Sequence, residues 1–526
     1  MTSEEKGHLR SPSKSQRIWL IPPFILALFL FSKALFPSSS HAYHPARALV
    51  SHNYLTTNMS QEPNPFSFCP IGSSGDLLSE KYGVNNLARS RLHAGSGARV
   101  QKVLKKAMSG LPITISVLGG SISACHGAGD DPIAPGCWPA RLFNWWNEVF
   151  PHPASELTNG AMRKTDSSYY AFCNSHHVPD HTDLVILEFD SDDPAEAEWR
   201  NHFELLMRSL LTRPDQPAVL VLGHFSPHRQ AQYGYHGAEV LHSSVAQFYD
   251  VPHISTKPTL YAPYISDPSS IRSLYADPLL ANPAGHGLLS DMLVSYFQSQ
   301  ICTVWNSLSS PEALLADTGA GAGGIFGGAG QRKGDVDAGA GAVKAAGAVG
   351  DHPNFAGVGA LLDTKVPPFM LTTRPEEFED FREAVPFCVS ANDLINPLPP
   401  SLFYGSGWHA YHPSQPKDGD QTHYWYSTLP TSRLRVPVRI GAGDVGIYYM
   451  QEPRSGGASS AAECWVDDNY GGAVAIGNGA DIDQARPGLK IIDRKVAAGS
   501  HFVECELLGE EGHSVPAFKI LGVFAT

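Results

Sequence analysis

The sequence predicts an α/β domain built on a parallel sheet, followed by an all-β sandwich. Three observations carry this. Between about residues 85 and 308, short apolar runs alternate with helical patterns, as in a parallel sheet covered on both faces by crossover helices. Residues 311–350 are mostly Gly and Ala, as in Gly319-Ala-Gly-Ala-Gly-Gly324. That composition cannot build a core and reads as a flexible linker, here drawn over 309–384. From about residue 385, short alternating runs separated by Gly-rich turns suggest antiparallel strands in a sandwich.

In the first domain, residues 91–108 read as a helix. Residues 113–118 are rich in β-branched side chains and read as a buried strand. This strand runs into Gly119, Gly120 and Ser121. Two glycines permit a tight exit with no Cβ in the way. Ser121 then stands at the carboxyl edge of the sheet, where open α/β sheets place their chemistry. Residues 138–149 read as a helix with Trp138, Phe143, Trp145 and Trp146 on it, and 183–189 as a second buried strand. Asp193-Pro194 reads as the cap and first turn of a helix. The apolar face of that helix is Trp199, Phe203, Leu206 and Leu210. A third strand at 218–222, a helix near 236–249, a short strand at 251–254 and a helix after Gly285 complete the domain.

In the second domain, Leu434, Val436, Val438 and Ile440 alternate, as do His501, Val503, Cys505 and Leu507. Further strands are expected at 444–449, 464–466 and 518–524, with the domain spanning 385–526. Cys464 and Cys505 fall in two of these strands and are placed to bridge them. Trp408, Tyr411, Tyr424, Trp425 and Tyr426 suit either a sandwich core or stacking on sugar rings.

The N-terminus fixes the expected compartment. Residues 1–17 are polar and carry Lys6, Arg10, Lys14 and Arg17. Residues 18–36 are apolar apart from Ser32 and Lys33, and these 19 residues are just enough to span a bilayer of roughly 30 Å. The basic flank keeps the N-terminus in the cytosol. The expectation is a single-pass type II signal-anchor, with residues 37–84 as a stem. The later domains would then lie in the Golgi or secretory lumen or outside the cell. A cleaved signal peptide, cut near Ser40-His-Ala42, is the alternative. Asn58-Met-Ser60 is a glycosylation sequon within the stem.

Composition narrows the function classes. A net charge of −13 and a pI of about 5.9 oppose a nucleic-acid surface. The eight cysteines include no CxxC pair, which suits disulfides in an oxidising lumen better than zinc. A disulfide is expected among Cys125, Cys137 and Cys173. The spacing of His126, His176 and His177 fits no common zinc set, so they are read as surface or loop residues, and no metal or cofactor is expected.

A series of short elements carries the chemistry. Gly119-Gly-Ser121 is followed by Thr158-Asn-Gly-Ala161, then Glu188-Phe-Asp-Ser-Asp-Asp193, then Asp277-Pro-Leu-Leu280-Ala-Asn-Pro-Ala-Gly285-His286. In order and spacing this series resembles the SGNH (GDSL-type) hydrolase family over about residues 85–305. Similar domains occur in membrane-anchored fungal capsule-associated and cell-wall proteins. The resemblance implies a flavodoxin-like three-layer sheet and acyl-ester chemistry. Ser121 matches the nucleophile, and its amide and that of Gly160, beside Asn159, match oxyanion donors. Asp277 matches the acid that orients the catalytic histidine. The chemistry needs such a set, because a serine hydroxyl attacks only when a base takes its proton. The oxyanion that forms needs donors aimed at it.

Three positions depart from the family pattern. Gly120 stands where the family has Asp. Asp192 stands where the family has an Asn that donates to the oxyanion, and a carboxylate there would repel one unless protonated. Leu280 stands where the family has its histidine. Either His286 is recruited as base, or His224 or His236 reaches in, or the site is inactive. The expected function is an esterase acting on acyl groups, chiefly O-acetyl, of a polysaccharide. The alternatives are acyl transfer to a sugar hydroxyl and a non-catalytic glycan-binding or scaffold protein.

Overall fold

In a computed structural model the described residues are 49–55, 63–309, 365–392, 404–413, 422–441, 443–454, 457 and 459–526. The expected anchor at 18–36, the sequon at Asn58 and the Gly/Ala-rich stretch lie outside them. Among the described residues no helix is long and apolar enough to cross a membrane. Residues from Ser51 onward form one unit that contains both predicted domains.

The first domain opens with helices α1 (Leu77–Tyr82) and α2 (Val84–Arg89), strand β1 (Arg91–His93) and helix α3 (Ala98–Met108). Next come β2 (Thr114–Gly119), α4 (Trp138–Val149), β3 (Glu156–Asn159), α5 (Ser167–Cys173) and β4 (Leu184–Glu188). The rest is α6 (Ala197–Leu211), β5 (Ala218–Gly223), α7 (Pro227–Tyr233), α8 (Ala238–Phe248), β6 (His253–Ser255), α9 (Lys257–Ser266) and α10 (Pro283–Ser309). The sheet order is β1-β6-β5-β4-β2-β3, with β2 to β6 parallel and only β1 antiparallel. After β2 the chain adds β3 on one side and β4 on the other. The exit of β2 is therefore the switch point of the topology, the place where a doubly wound sheet opens a crevice.

Both sheet faces are covered, which is why β4 and β5 read as near-continuous apolar runs and β2 as one broken only by Ser116, whose buried hydroxyl pairs with Thr182 at 2.8 Å. On one face Ile115, Val117, Ile186 and Leu220 pack with Leu104, Trp146, Leu293 and Phe297 of α3, α4 and α10. On the other, Val185, Leu187, Val219 and Val221 pack with Tyr170, Phe203, Leu206 and Val245 of α5, α6 and α8. This second core does not stop at the domain edge. It continues into Tyr448, Leu521 and Phe524 of the β domain.

The second domain contains β7 (Phe387–Ser390), β8 (Tyr404–Ser406), β9 (His409–Tyr411), β10 (Tyr424–Ser427), β11 (Arg433–Ile440) and β12 (Gly443–Pro453). It continues with β13 (Ala461–Val466), β14 (Val474–Gly477), β15 (Gly479–Ala480), β16 (Arg486–Val496), β17 (Gly499–Leu507) and β18 (Phe518–Ala525). One sheet is built around β12, β18 and β10, the other around β13, β17 and β11. The β11 pattern of alternating exposed and buried residues puts Leu434, Val436, Val438 and Ile440 into the core between the sheets, with Ile447, Val503 and Phe518. Cys464 and Cys505 lie directly opposite each other on β13 and β17 and are bonded.

Four sequence expectations are corrected. The stem does not run to residue 84: Phe66 and Phe68 are buried in the first core, and Cys69 is bonded to Cys302 on α10. Aromatics anchor this aperiodic segment. Residues 91–93 are an edge strand rather than the start of a helix. Helix α6 begins at Ala197, not at Pro194, and its N-cap is Glu196, because Asp193 is drawn into the site described below. The linker does not run to 384. Arg208 on α6 donates to the carbonyls of Pro367 and Phe369 at 2.9 Å each, and to Glu383 at 2.8 Å, so residues 365–383 are pinned to the first domain.

Candidate active site

The site forms where β2 and β4 end side by side. Gly119 and Gly120 are required by close approach. A Cβ on Gly119 would meet the carbonyl of Glu188, and one on Gly120 would meet the carboxylate of Asp192. Ser121 follows and is 4% exposed. Its amide donates to Asp192 Oδ2 at 2.7 Å and its hydroxyl donates to Asp192 Oδ1 at 2.9 Å. The same hydroxyl oxygen accepts the Lys164 amide at 2.9 Å. Ser121 Oγ is thus held between a carboxylate and a backbone N–H.

Asp192 is buried, and burial lifts its pKa to about 6 against the lowering pull of the two Ser121 bonds and of the Arg229 charge. Its neighbours on the β4 exit are disposed differently. Asp190 Oδ1 and Asp193 Oδ2 each lie 2.8 Å from a ring nitrogen of His242, one on each side. Burial opposes charge on that imidazole, but the bonds to Asp190 and Asp193 outweigh it and raise its pKa to about 10. His242 is therefore an imidazolium clamped between two carboxylates. Asp193 also accepts the amide and hydroxyl of Ser167 at 2.7 Å each, which fixes the start of α5. Glu188, fully buried, is pushed well above the usual carboxylate range by burial and by Asp192 and Asp190. It accepts the Ser123 hydroxyl at 2.9 Å.

The residues matched to oxyanion and substrate binding are otherwise occupied. The Gly160 amide donates to the Val117 carbonyl at 2.9 Å, extending the ladder between β2 and β3. It is not a free donor, which corrects the expectation. Gly160 is glycine because a Cβ would strike the His177 carbonyl. The Asn159 side chain donates to the carbonyls of Ser123 and Pro132 at 2.8 Å each and accepts the Ala161 amide at 3.1 Å. It staples the loop after Ser121 to β3.

None of the candidate bases meets Ser121. His286 is fully buried, and its Nδ1 accepts the Trp138 amide at 3.3 Å, so it caps α4. Burial pushes its pKa down to about 3, leaving it neutral. His224 pairs through Nδ1 with Ser191 Oγ at 2.8 Å, and burial lowers its pKa to about 4. His236 is exposed beside Tyr235. Asp277 is exposed, and its carboxylate accepts the amides of Leu279 and Leu280 at 2.7 and 2.8 Å. It closes its own turn, and among the described residues it orients no imidazole. Leu280 is buried in the first core. Among the described residues, the hydrogen-bond partners of Ser121 Oγ are Asp192 and Lys164.

Cys125 is bonded to Cys137 beside this loop, as expected for the loop cysteines. Cys173 pairs instead with Cys388, tying α5 to β7 across the two domains. His177 is buried against the Tyr169 hydroxyl at 2.8 Å rather than lying at the surface. A cleft of about 330 Å³ opens between the domains, lined among others by Gly160, Arg163, His177, Asn392, His423 and Tyr448. It borders the same 159–165 segment that holds Ser121 through Lys164. On the β domain, Tyr411 stays exposed and stacks on Tyr424 with centroids 4.5 Å apart, whereas Trp408 is core. Asp190, Glu239 and His253 bring ligand-type atoms within 4.8 Å of one another. Their charge is met by protein cations, with Lys257 Nζ 3.1 Å from Glu239 and His242 on Asp190.

The sequence missed His242 and Lys164, and it placed Asp192 in the site without its bonds to Ser121. The signal for His242 was its place on a helix predicted near 236–249, opposite a run of three carboxylates. Nothing in spacing alone joins it to residues 49 and 52 positions away.

No protein-family model matches the sequence, and no curated protein matches it. Solved structures share its fold. The chain is similar to a two-domain esterase (CEX) active on acetylated mannans, co-crystallised with mannopentaose. Identity is 18%, the match covers 84% of this chain and 97% of that chain, and the TM-score is 0.55. A second structure of a two-domain esterase (CEX) active on acetylated mannans gives 18% identity, 84% and 98% coverage and a TM-score of 0.56. The likeness runs through both domains, and what it establishes is a common fold: an α/β domain with a β domain docked on it.

Proposed function

We propose that this chain is an SGNH-type carboxylic ester hydrolase that removes O-acetyl groups from a polysaccharide. The observation that carries the proposal is the Ser121 hydroxyl, fixed at the switch point of a parallel sheet between the Asp192 carboxylate and the Lys164 amide. Support comes from the fold shared across both domains with esterases active on acetylated mannans. The cleft between the domains, with the exposed Tyr411 stacked on half-buried Tyr424 of the β domain, offers a surface for sugar rings. Four disulfides among the described residues support a lumenal or extracellular setting, with residues 18–36 as the anchor.

In this reading Ser121 Oγ attacks the acetyl carbon, the sugar hydroxyl leaves, and water releases acetate from the acetyl-serine. The test is acetate release from acetylated mannan by the purified chain from residue 51, together with labelling by a fluorophosphonate. Both should be present in the wild type and absent in Ser121→Ala. A folded wild type that neither releases acetate nor takes the label ends the proposal.

A second reading has its own observation. Leu280 is buried where the family carries its base, and the Gly160 amide is spent on Val117. A glycan-binding protein without turnover would show mannan binding that Ser121→Ala leaves unchanged, with no acetate released.

A further inference from the structure

We infer that Asp192 is the proton acceptor for the Ser121 hydroxyl, standing in for the histidine that this chain lacks at residue 280. The inference rests on the esterase reading and names the base that reading needs.

Geometry makes the case first. A base must lie within hydrogen-bond reach of the proton it removes. Asp192 Oδ1 is the acceptor of that proton at 2.9 Å, and the Lys164 amide, also at 2.9 Å, is placed to stabilise the alkoxide that forms. None of the imidazoles considered as bases bonds to Ser121: His286 Nδ1 is taken by the Trp138 amide, His224 Nδ1 by Ser191, and His236 is exposed beside Tyr235. His242 is bonded to Asp190 and Asp193. The carboxylate is also locked in orientation, because its second oxygen holds the Ser121 amide at 2.7 Å.

The electrostatic surroundings suit the role. The groups facing Asp192 are Arg229, which favours its charge, and Asp193, which disfavours it. Glu188, Asp166 and Tyr170 also feel its charge. Asp190 and Asp193 are both bonded to the His242 imidazolium. Burial leads among the causes that place Asp192 at about 6, far closer to neutrality than an exposed aspartate and matched to general-base work. It is a weak enough base to be ionised at pH 7 and a strong enough one to take a proton transiently.

The proton inventory closes. The Ser121 O–H bond breaks and its proton goes to Asp192 Oδ1. Oγ bonds to the acetyl carbon, and the carbonyl π pair moves onto the carbonyl oxygen. Asp192 is now a neutral acid, so the repulsion expected between an aspartate and an oxyanion is gone. The Ser121 amide, which donates to Asp192 Oδ2, is then held by a neutral rather than a charged partner. When the C=O re-forms, the sugar oxygen departs with the proton from Asp192. Water then attacks the acetyl-serine, giving its proton to Asp192. That proton returns to Ser121 Oγ as acetic acid leaves.

The experiment compares the wild type with Asp192→Asn, which keeps the shape and supplies the amide the family uses. Acetate release and fluorophosphonate labelling should fall by about 100-fold or more with the melting temperature little changed. An Asp192→Asn enzyme as active as the wild type, or more so, overturns the inference while leaving the esterase reading intact. Wild-type inactivity toward ester and probe overturns both. A readout on the wild type alone guards against an Asp192→Asn chain that fails to fold. kcat/KM should drop tenfold per pH unit below about 6, and the position of that limb should barely move with temperature, because a carboxylic acid ionises with little enthalpy. A limb that shifts strongly with temperature marks an imidazole and also overturns the inference.

Discussion

Gly120 and Asp192 are fitted to each other: a Cβ at residue 120 would stand inside the Asp192 carboxylate. Gly120 and Asp192, two positions that depart from the SGNH pattern the sequence resembles, are therefore coupled. The family's aspartate could not occupy position 120 here without expelling Asp192 from Ser121. Gly120→Ala should displace the carboxylate, cutting Ser121-dependent acetate release by about 100-fold. The cost in stability should be about 1–3 kcal/mol from overpacking. Kinetics with denaturant melts on the same protein would check it, and full activity in Gly120→Ala would show that the carboxylate can move without consequence.

The clamp on His242 predicts a pH-dependent stability. Its folded pKa of about 10 lies above the ordinary imidazole value. The charged clamp therefore contributes fully below about pH 6.5 and its contribution is lost as pH rises through about 10. Denaturant midpoints should decline over that window. His242→Ala strips two buried carboxylates of their shared cation and should cost about 3–5 kcal/mol at neutral pH. The variant's stability should lack the alkaline decline, and a decline of equal size in both proteins would refute the assignment.

How much of this was legible in the sequence depended on the kind of interaction. The strands of the α/β sheet were readable because both faces are buried, so Val185, Leu187 and Leu220 sit in near-continuous apolar runs, and Ile115 and Val117 in one broken only by Ser116. The sandwich was readable from the opposite pattern, the strict alternation of Leu434 to Ile440. The place of Ser121 at the end of β2 was legible because the strand's apolar run stops at two glycines that allow the close approach of Glu188 and Asp192. Periodicity reports that a face is buried, but not which polar group meets which. Asp193 reads as a cap in the sequence, and only the approach of α8 shows that His242 takes it. The 63–76 and 365–383 segments have no period at all. Their burial rests on single anchors, Phe66 and Arg208, that carry no pattern. Leu280 was legible only as the absence of a histidine, and the contact of Asp192 with Ser121 required the third dimension.

The Cys173–Cys388 bond predicts that the two domains separate in stability before they separate in sequence. It joins α5 to β7 across 215 residues and sits in the core that the domains share. Replacing both cysteines by Ala should lower stability by roughly 2–4 kcal/mol and leave the sandwich core of Leu434, Val503 and Phe518 folded. After cleavage at a protease site inserted between residues 309 and 365, the fragment from residue 365 onward should separate from the first domain in the double variant but stay with it in the wild type. Continued copurification after cleavage would mean that the apolar contact of Tyr448 and Phe524 with α5, together with the 365–383 segment held by Arg208, suffices without the bond.

Arg208 supplies the last test, because it is buried on α6 yet most of its donors point into the 365–383 segment. Its guanidinium serves the Pro367 and Phe369 carbonyls, Glu383 and the Tyr249 hydroxyl. Arg208→Met keeps the apolar stem and removes every one of these bonds. Hydrogen bonds to a charged group contribute about 1.5–3 kcal/mol, but Glu383 is 36% exposed, so the lower end of that range is expected. The loss should be local. Amides of 367–383 should exchange faster in Arg208→Met, while those of β4 and β5 keep their protection. Unchanged exchange in 367–383 would show that the segment is held by Phe369 against Phe248 and that the arginine is incidental to its docking.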